Sequence, residues 1–473
     1  MVYVLRLLTG LVFFYLMGCT LGPNFQRPVS PHAKTYGVDK IASTLDSHSL
    51  IPVKWWRIYQ SPGLNQFMDK ALKANPDMKA AEANLKIAYE NTRVQQAYYL
   101  PYLNAGFNPT RQLTAGTLQS NTANNAYMYS LETALVSVSY MPDLWGGQHR
   151  RLESLKAQQD SIYFQKKAVY LTLASNIMLA VIQEAALREQ RYVTLRMIRL
   201  IKKRLSLLKQ EQKEGGVGLL PVVSEENLLA QLESTLPALE KQWQTKRHLL
   251  YALSGHLPGD HLEMNWTLQS LHLPKKLPLK LPSTLVRQRP DILAAESALH
   301  AATADIGVAV ANRFPSIILS AYTGSAPLNF GTLFAGGTGF WGAGLNILGP
   351  LFDWGALKHK QRAAVAAYEV ACAQYRKAVL LAFKNVADTL TAIASDEVAL
   401  KYALDQRQAA KTTRMIATKS FEYGKVGYLN VLFAEQQDKE AQLNVIQSQA
   451  NRLSDTVALF QALGGGVWSK NGD

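Results

Sequence analysis

Few residues of this chain combine the types and the spacing that chemistry needs. Gly337-Thr338-Gly339-Phe340-Trp341-Gly342 matches the GxGxxG pattern that binds dinucleotide phosphates where a strand ends and a helix begins. Here the following residues alternate between apolar and small polar types, which is typical of a strand. The pattern therefore predicts the loop of a β-hairpin and no nucleotide site.

A second group of residues has the types that bind metal ions. His256, Asp260, His261 and Glu263 lie close together in the sequence, but in a proline-rich stretch without a helical frame to aim their side chains. We expect these side chains to be solvent-exposed and to hold no metal. The sequence has no Gly-x-Ser-x-Gly motif, thiol pair or phosphate loop, so we expect neither catalysis nor a cofactor.

Cys19 gives the strongest chemical signal. Residues 1–18 carry one cation, Arg6, before an apolar stretch, which is the pattern of a secretory signal peptide. Leu16-Met17-Gly18-Cys19 resembles the bacterial lipobox, whose cysteine receives a diacylglycerol before the signal is removed and the new amine is acylated. Because Thr20 stands where an Asp would resemble the inner-membrane retention signal, an outer-membrane lipid anchor is expected. The alternative is a signal peptide with a chance cysteine.

Composition excludes several classes of protein. The 473 residues are 48% hydrophobic and 18% charged, which excludes an intrinsically disordered chain. The mean hydropathy is -0.07 and no long apolar run follows the signal peptide, which excludes a multi-helix inner-membrane protein. The net charge of +15 identifies no partner by itself. Two cysteines cannot form a disulfide framework, and we interpret Cys372 as a small core residue.

The chain contains an internal repeat. Four motifs recur, the first two after 214 residues and the last two after 209. The pairs are Asn75-Pro76-Asp77 with Arg289-Pro290-Asp291, Leu100-Pro101 with Phe314-Pro315, Trp145-Gly146 with Trp354-Gly355, and Val217-Gly218 with Val426-Gly427. Two halves of about 200 residues therefore share one plan.

Each half is predicted to contain a helix, a strand pair, a very long helix, a tight turn and a further helix. The predicted segments are 1–18 for the signal peptide, 19–61 for a lipidated N-terminal segment, 62–255 for the first repeat, 256–283 for a linker, 284–464 for the second repeat and 465–473 for the C-terminal tail. The predicted helices are 63–99, 146–213, 222–253, 284–313, 356–422 and 431–463. The predicted hairpins are 101–141 and 315–350.

The helix lengths predict a tube. A helix over 146–213 would be ~100 Å long, and the two shorter helices of the first half, placed end to end, would match it. A wall that pairs one continuous helix with two abutted ones follows from these lengths.

The strands predict an assembly. Trp341, Ala343, Leu345 and Ile347 alternate with small polar residues, whereas 129–140 alternates only in part, with a phase shift near Leu135-Val136. Four strands cannot close a barrel, and open strand edges are costly in lipid. Three copies would supply twelve strands, which lies within the range of bacterial barrels.

Several further motifs follow in a fixed order. They are Gly22-Pro23-Asn24-Phe25-Gln26-Arg27-Pro28, Trp55-Trp56 before Leu64, Arg289-Pro290-Asp291, Asp353-Trp354-Gly355 and Tyr428-Leu429-Asn430-Val431-Leu432. Together with Cys19, their order and spacing resemble the TolC-like outer membrane efflux factor family, in its lipoprotein branch (the OprM/NodT type). The resemblance covers essentially the whole chain.

The resemblance implies a mainly α fold with a small membrane β-barrel portion. In this family, long antiparallel helical hairpins in two tandem repeats form an α-barrel beneath a trimeric twelve-stranded β-barrel. A homotrimer is implied, held in the bacterial outer membrane by lipid and extending into the periplasm. It would be the exit duct for an inner-membrane pump, of the RND type, and a periplasmic adaptor (membrane fusion) protein.

The two helix-turn-helix tips are the expected adaptor contact. They are apolar for exposed turns and contain glycines that allow close approach. The residues are Val217, Gly218, Leu219 and Leu220 in the first repeat and Val426, Gly427, Tyr428 and Leu429 in the second. The alternative is that these side chains only close each turn against the neighbouring helix.

The aperture departs from the family pattern. The family commonly has acidic residues after the second turn, where this chain has Asn430 and Phe433; the first repeat has Pro221 and Ser224 at the equivalent positions. We therefore expect closure through apolar and hydrogen-bonded contacts, and no ring of carboxylates that would bind divalent cations.

A basic belt precedes the first tip. From Arg188 to Lys213 there are nine Lys or Arg against Glu189 and Glu211. The belt is either a contact for an acidic adaptor surface or a solvated helix face whose last cations complement the helix C-terminus. Nucleic acid is not an expected partner, because a lipoprotein outside the cytoplasm rarely meets it.

Three functions remain open at this point. The first is the channel of a tripartite efflux system for small molecules, and the second is a duct for type I protein secretion, which the same fold can serve. The third belongs to another class, a non-conducting coiled-coil lipoprotein that spans the envelope. The two hairpins at equal points of the repeat favour a channel, because a spacer has no use for them.

Overall fold

The structure is a computed structural model that describes residues 20–29, 45–46, 51–113, 128–264, 266–273, 277–278 and 287–466. The predicted signal peptide and Cys19 lie outside this part of the chain. The chain divides into two compact units. The first unit comprises residues 1–28, 85–162 and 295–375, and the second comprises 29–84, 163–294 and 376–473.

Seven α-helices and four long strands make up most of the described chain. The helices are α1 (Pro62–Ala74), α2 (Pro76–Ala97), α3 (Gly147–Lys213), α4 (Leu219–Leu253), α5 (Pro290–Ala311), α6 (Ala356–Glu422) and α7 (Tyr428–Ala462). The strands are β1 (Tyr102–Leu113), β2 (Met128–Tyr140), β3 (Ser316–Ser325) and β4 (Gly339–Leu348). Short 3-10 helices cover Trp55–Tyr59, Leu268–Ser270 and Phe330–Thr332, and two-residue strands at Leu45–Asp46 and Leu277–Pro278 pair in parallel.

The repeat is visible in the helix lengths. Helices α2 and α5 have 22 residues each, α3 and α6 have 67, and α4 and α7 have 35. Because corresponding helices have equal lengths, each half of the chain builds the same sequence of elements.

The first predicted helix, 63–99, is two helices that break at Asn75. Asn75 is extended (φ -60°, ψ 129°) because the ring of Pro76 disfavours a helical conformation at the residue before it. Its side-chain oxygen accepts a hydrogen bond from the backbone N–H of Asp77 at 2.8 Å and so caps α2. Its side-chain nitrogen donates to the carbonyl of Leu253 at 2.9 Å, so the end of α4 meets the start of α2.

The second repeat has the same junction with different chemistry. Within the predicted helix 284–313, residues 287–288 are helical, Arg289 is not, and α5 begins at Pro290, a residue that favours the first turn of a helix. Arg289 donates to the carbonyl of Ala462 at 2.6 Å and pairs with Asp291 at 2.6 Å. The two short helices of the second repeat therefore also meet end to end.

Helices α4 and α7 begin three residues earlier than the predicted 222 and 431. Gly218 and Gly427 are extended N-cap residues, with φ of -75° and -72°. Pro221 falls in the first turn of α4, where the missing N–H has no intrahelical partner to lose. Pro221 therefore does not delay the start of the helix.

A cluster of aromatic side chains lies at the centre of the second unit. Trp55, Trp56 and Tyr59 are fully buried. The Tyr59 hydroxyl donates to the carbonyl of Leu453 at 3.0 Å, and Trp55 stacks on Phe460 with 5.3 Å between ring centroids. These contacts attach the N-terminal 3-10 helix to α7.

The four long strands form one antiparallel sheet in the order β1-β2-β3-β4. One row of paired residues crosses all four strands: Leu103, Val138, Ala321 and Ala343. The pairing of β1 with β2 runs without interruption over twelve residues, so the change of phase in the apolar pattern near Leu135-Val136 does not interrupt the pairing. Leu135 shares its face of the sheet with polar residues and with Leu131, Ile318, Phe340 and Leu348.

Candidate channel wall and docking sites

The sheet has one apolar and one polar face. Because side chains alternate along each strand, the pairing registers assign every residue to a face. One face also carries Arg111 and Glu132 near one end of the first strand pair, but it is dominated by Leu103, Ala105, Phe107, Val136, Val138, Tyr140, Leu319, Ala321, Trp341, Ala343, Leu345 and Ile347. The other carries Asn104, Asn108, Thr133, Ser137, Ser139, Ser320, Tyr322, Gly342, Gly344 and Asn346, and its described residues include no charge. A membrane barrel wall needs this division between lipid and water.

Both edges of this sheet are open within the described chain. Strand β1 pairs only with β2, and β4 pairs only with β3. Exposed N–H and C=O groups at such edges are templates for pairing with another strand. They cannot face lipid unpaired.

The connections at the base of the sheet differ between the repeats. Trp145 stacks on Phe314, with 4.9 Å between ring centroids, and its indole nitrogen donates to the carbonyl of Pro315 at 2.7 Å. Its counterpart Trp354 contacts Phe352 and is 87% exposed. The same motif is therefore docked in one repeat and uncovered in the other.

The N-terminal segment Thr20–Arg27, which we call the strap, is attached to α3. The buried guanidinium of Arg150 donates to the carbonyl of Leu21 at 3.1 Å and to the side-chain oxygen of Asn24 at 2.6 Å. A side chain at Gly307 of α5 would have its Cβ 2.8 Å from the Leu21 carbonyl oxygen. The strap therefore needs a residue without a side chain at this position of α5.

The other end of the strap binds α5. Phe25 stacks on His300 at 4.4 Å, and Arg27 pairs with Glu296 at 2.8 Å. His300 also lies 2.8 Å from Glu153. Burial raises the pKa of Glu153, but hydrogen bonds from His300 and Arg150 outweigh it and hold that pKa below its usual value. The Gly22–Pro28 motif is thus the sequence of a segment that packs against α3 and α5.

The first tip exposes its apolar side chains. Leu219 and Leu220 are 63% and 78% exposed at the start of α4. Gly215 in the turn has a φ of +74°, which requires glycine, whereas Gly218 has an ordinary φ and open space around it. Val217 is half-buried.

The second tip packs against the helix pair α3 and α4, which carries the first tip. Tyr428 contacts Phe421 and accepts a hydrogen bond from Lys203 of α3 at 2.8 Å. Leu429 packs on the cluster of Leu205, Leu208 and Val222. Tyr428 and Leu429 therefore contact neighbouring helices. These contacts agree with the alternative interpretation, in which the tip side chains close the turn. Val426 is half-buried, whereas Gly427 and the aperture candidate Asn430 are exposed.

A buried ion pair lies beside the other aperture candidate. Arg204 and Glu225 form two hydrogen bonds of 2.7 Å, and their side chains are 10% and 8% exposed. The Arg204 guanidinium lies 5.8 Å from the ring of Phe433, which is half exposed. Glu226 pairs with Lys209 at 2.6 Å. Glu225 and Glu226 are therefore both paired with cations of α3.

Sequence reasoning did not single out the Arg204–Glu225 pair. The two residues are 21 positions apart, and they meet because α3 and α4 run antiparallel across the turn. A signal was available: Glu225 lies in an apolar part of α4, where a carboxylate needs a partner.

Five of the nine cations of the basic belt pair with carboxylates of α3 or α4, Arg188 with Glu184 of its own helix. Lys202 pairs with Glu233 at 2.7 Å, and Arg191 pairs with Glu240. Together with the pairs of Arg204 and Lys209, they form a ladder between α3 and α4. The belt is thus mainly an intramolecular contact surface, which favours the solvated-face reading over an acidic adaptor.

The remaining candidates have structural roles. The GxGxxG segment ends in β4, which begins at Gly339, so no helix follows it. Asp260 accepts a hydrogen bond from the backbone of Leu257. No cluster of three metal-binding side chains occurs in the described part of the chain.

Comparison with known proteins supplies the family. The family model described as "Outer membrane efflux protein" matches residues 67–256 and 281–465. The chain is 31% identical to the pyoverdine export outer membrane protein OpmQ of Pseudomonas aeruginosa, over 87% of each chain. It is 27% identical to the probable outer membrane lipoprotein SilC of Salmonella typhimurium, over 98% of this chain and 99% of that one.

Solved structures agree with this result. The outer-membrane channel OprN superposes with a TM-score of 0.84 at 25% identity, over 95% of this chain and 99% of that one. This coverage confirms the expected mainly α fold with long helices and a small sheet. The chain belongs to the outer membrane efflux protein family.

Proposed function

We propose that the protein is the outer-membrane exit duct of a tripartite efflux system and works as a homotrimer. The observation that carries the proposal is the two-faced sheet with two open edges. An apolar face suits lipid, an uncharged polar face suits a water-filled channel, and only closure satisfies the edges. Three copies supply twelve strands.

The helices support an assembly as well. The most apolar 18-residue stretch of α3 is 61% buried, whereas that of α6 is only 28% buried. Both helices are long and apolar enough to cross a membrane by composition alone. In a periplasmic tube, the uncovered side of α6 would instead be covered by another copy, because large exposed apolar surfaces mark interaction sites.

A lipid anchor on Cys19 fits the position of the strap. Thr20, the next residue, lies against Gly146 in the short connection between β2 and α3. Consecutive Cα atoms are about 3.8 Å apart, so acyl chains on Cys19 would start close to the base of the strands. The strap would thereby align the lipid anchor with the membrane-facing sheet.

The tips are the proposed contact for the periplasmic adaptor. Leu219 and Leu220 form an exposed apolar pair on the first tip, and Gly218 and Gly427 leave open space on both. The adaptor would in turn connect the duct to an inner-membrane pump, for which we propose the RND type. A small apolar patch beside glycines suits the close approach of a partner helix.

Small molecules are the proposed cargo. The name of OpmQ states pyoverdine export, and other relatives of similar identity are named for toluene efflux. These names favour small-molecule efflux over the type I protein secretion alternative. The sheet with its membrane-type faces disfavours a non-conducting spacer.

The test is the mass and conductance of the purified protein. Detergent-extracted protein should have three times the mass of the 52.4 kDa chain, a little less after signal removal. In planar bilayers it should insert as a channel whose resting conductance is low and little affected by millimolar Mg²⁺, because Asn430 and Phe433 carry no carboxylate and Glu225 and Glu226 are paired. A monodisperse monomer with full strand content, or protein that never inserts, would contradict the proposal.

A further inference from the structure

The loop between β3 and β4, residues 326–338, folds over the apolar face of the sheet. It leaves β3 alongside β2, where the backbone N–H of Glu132 donates to the carbonyl of Pro327 at 2.9 Å. The ring of Phe330 then meets the ring of Phe107 on β1, with 5.9 Å between centroids. Because β2 lies between β3 and β1, the loop crosses β2 to make this contact.

The loop and the sheet border an open cavity of about 750 Å³, which is within the size range of ligand sites. Its apolar lining comes from Ala105, Phe107, Ala134 and Val136 on the sheet and from Phe334 and Ala335 on the loop. The pairing register places all four sheet residues on the apolar face. None of the described residues around the cavity is ionisable.

The hydroxyl groups beside this cavity are hydrogen-bonded within the protein. Ser325 donates to Thr338 at 2.7 Å, and Thr338 donates to the carbonyl of Ala335 at 2.8 Å. Thr323 donates to the carbonyl of Phe340 at 3.3 Å. A hydroxyl has one proton to donate, so these side chains offer no free donor to a polar solute. An apolar chain needs none.

The loop exposes large apolar side chains. Leu328, Phe330 and Phe334 are 61%, 67% and 90% exposed. An exposed apolar patch of this kind marks a binding surface, and here it continues the face of the sheet that suits lipid. The cavity therefore opens towards hydrocarbon when the sheet is part of a membrane barrel.

The loop lies far from the proposed lipid anchor. Thr20, which follows Cys19, lies against Gly146 in the connection after β2. The loop begins after Ser325, whose partner Ala134 is six residues before the end of β2, or about 20 Å along the strand. The apolar band of a membrane barrel is about 25 Å tall, so an anchor in the inner leaflet places the loop in the outer leaflet. In bacterial outer membranes that leaflet contains lipopolysaccharide, whose lipid A part carries several acyl chains and phosphates.

A cation lies beyond the cavity on the same face. Arg111 is four residues after Phe107 on β1, or about 13 Å further along the strand. Its guanidinium contacts the sulfur of Met128 at 3.4 Å, and within the described part of the chain no carboxylate pairs with it. Glu132 lies on this face one residue pair closer to the cavity, so Arg111 is nearer the head groups. Arginine suits a phosphate at this height.

We propose that the cavity holds one acyl chain of lipid A from the outer leaflet. The chain lies between the loop and the sheet, and Arg111 binds a phosphate of the same lipid. The inference rests on the proposed membrane barrel and adds one lipid site to each copy.

The lipid that co-purifies with the protein tests this site. Protein is extracted from outer membranes in mild detergent, and its bound fatty acids are identified. Hydroxylated fatty acids mark lipid A, whereas phospholipids lack them. The wild type should retain about one lipid A per chain. Each buried methylene contributes about fourfold in affinity, so an indole in the cavity should lower the retained lipid A by at least about tenfold.

Two variants fill the cavity, and a third is the matched control. Ala134→Trp fills it from the sheet, and Ala335→Trp fills it from the loop, which covers the case in which the strand variant does not assemble. Ala321→Trp places the same side chain on the same face outside the cavity. It should retain lipid A like the wild type.

The outcomes separate the site from the assembly. If the protein is trimeric by mass and conducts, but the cavity variants retain as much lipid A as Ala321→Trp, the inferred site is wrong while the duct stands. Loss of phospholipid in place of lipid A from the cavity variants would overturn the assignment to lipid A. A wild-type monomer by mass would instead overturn the proposed assembly.

Arg111 is tested by titration of the delipidated protein with purified lipid A, followed by native mass spectrometry. Arg111→Gln should weaken binding of lipid A by about threefold and leave unchanged the binding of lipid A whose phosphates have been removed. An equal effect on both forms would show that Arg111 does not bind the phosphate.

Discussion

At the scale of single residues, two carboxyl groups face each other between α6 and α7. Asn444 contacts Gln406, and Arg414 contacts Asp438, which fixes the antiparallel register of the two helices. The same register places Asp396 opposite Asp455. Burial, followed by the proximity of Asp455, raises the pKa of Asp396 to about 7, although the nearby Arg452 opposes the rise. Glu397 and Tyr59 also face Arg452.

This pair should make stability fall as pH rises. Between about pH 4 and pH 7 the folded protein binds a proton that the unfolded chain has released, so stability is present at low pH and lost towards pH 7. Asp396→Asn, which stays neutral, should therefore stabilise the protein by about 1–2 kcal/mol at pH 8, after allowance for solvent screening, and by roughly a third of that at pH 5.

Thermal unfolding followed by circular dichroism at the two pH values measures this effect. Asp405→Asn, an exposed carboxyl on the same helix, is the control and should behave like the wild type. If Asp396→Asn changes the midpoint equally at pH 5 and pH 8, the two carboxyl groups do not share a proton.

At the scale of elements, the Arg204–Glu225 pair fixes α3 to α4 near the tip. Removal of one partner leaves a buried charge without compensation, which costs about 3–5 kcal/mol, whereas replacement of both partners by apolar residues is often neutral or stabilising. Glu225→Ala should therefore loosen the hairpin, and Arg204→Met with Glu225→Leu should restore it.

Amide hydrogen exchange of residues 195–235 reports this difference. Faster exchange in the single variant and near-normal exchange in the double variant are expected. Equal protection in Glu225→Ala and the wild type would mean that apolar packing alone holds the hairpin.

Substitutions at two sets of tip glycines test stability and adaptor binding separately. Gly218 and Gly427 have ordinary φ values and open surroundings, so Gly218→Trp with Gly427→Trp should leave the trimer intact while blocking an adaptor. Gly215 and Gly424, with φ of +74° and +69°, should instead lose stability when replaced. Co-purification with the adaptor and thermal unfolding distinguish the two sets. Normal adaptor binding by the Gly218/Gly427 variant would remove the tips from the docking site.

The sequence predicted elements better than contacts. The lengths of α3 and α6 follow from proline-free apolar periodicity, because local spacing determines a long helix. The break at Asn75 was missed, although Pro76 signals it, because apolar spacing continues across the junction. Arg150 and the strap could not have been paired from sequence, since 126 residues separate Arg150 from Asn24 and the contact depends on the packing of helices.

At the scale of the whole molecule, one chain supplies only part of a closed barrel. Its sheet has faces suited to a membrane and edges that no part of the described chain satisfies. Ile87 and Val370 are exposed at positions whose counterparts in the other repeat, Ala301 and Ser161, are buried. A ring of copies resolves both features with one type of contact, and such a ring encloses a passage.

The most direct test of the account is efflux by living cells of the source bacterium. Cells that lack this chain should accumulate a fluorescent pump substrate and regain its export when the wild-type chain is supplied. The Gly218→Trp with Gly427→Trp chain should insert normally and fail to restore export. Unchanged accumulation in the deletion strain across a panel of such dyes, or full export by the tip variant, would contradict the account of this protein as an efflux duct.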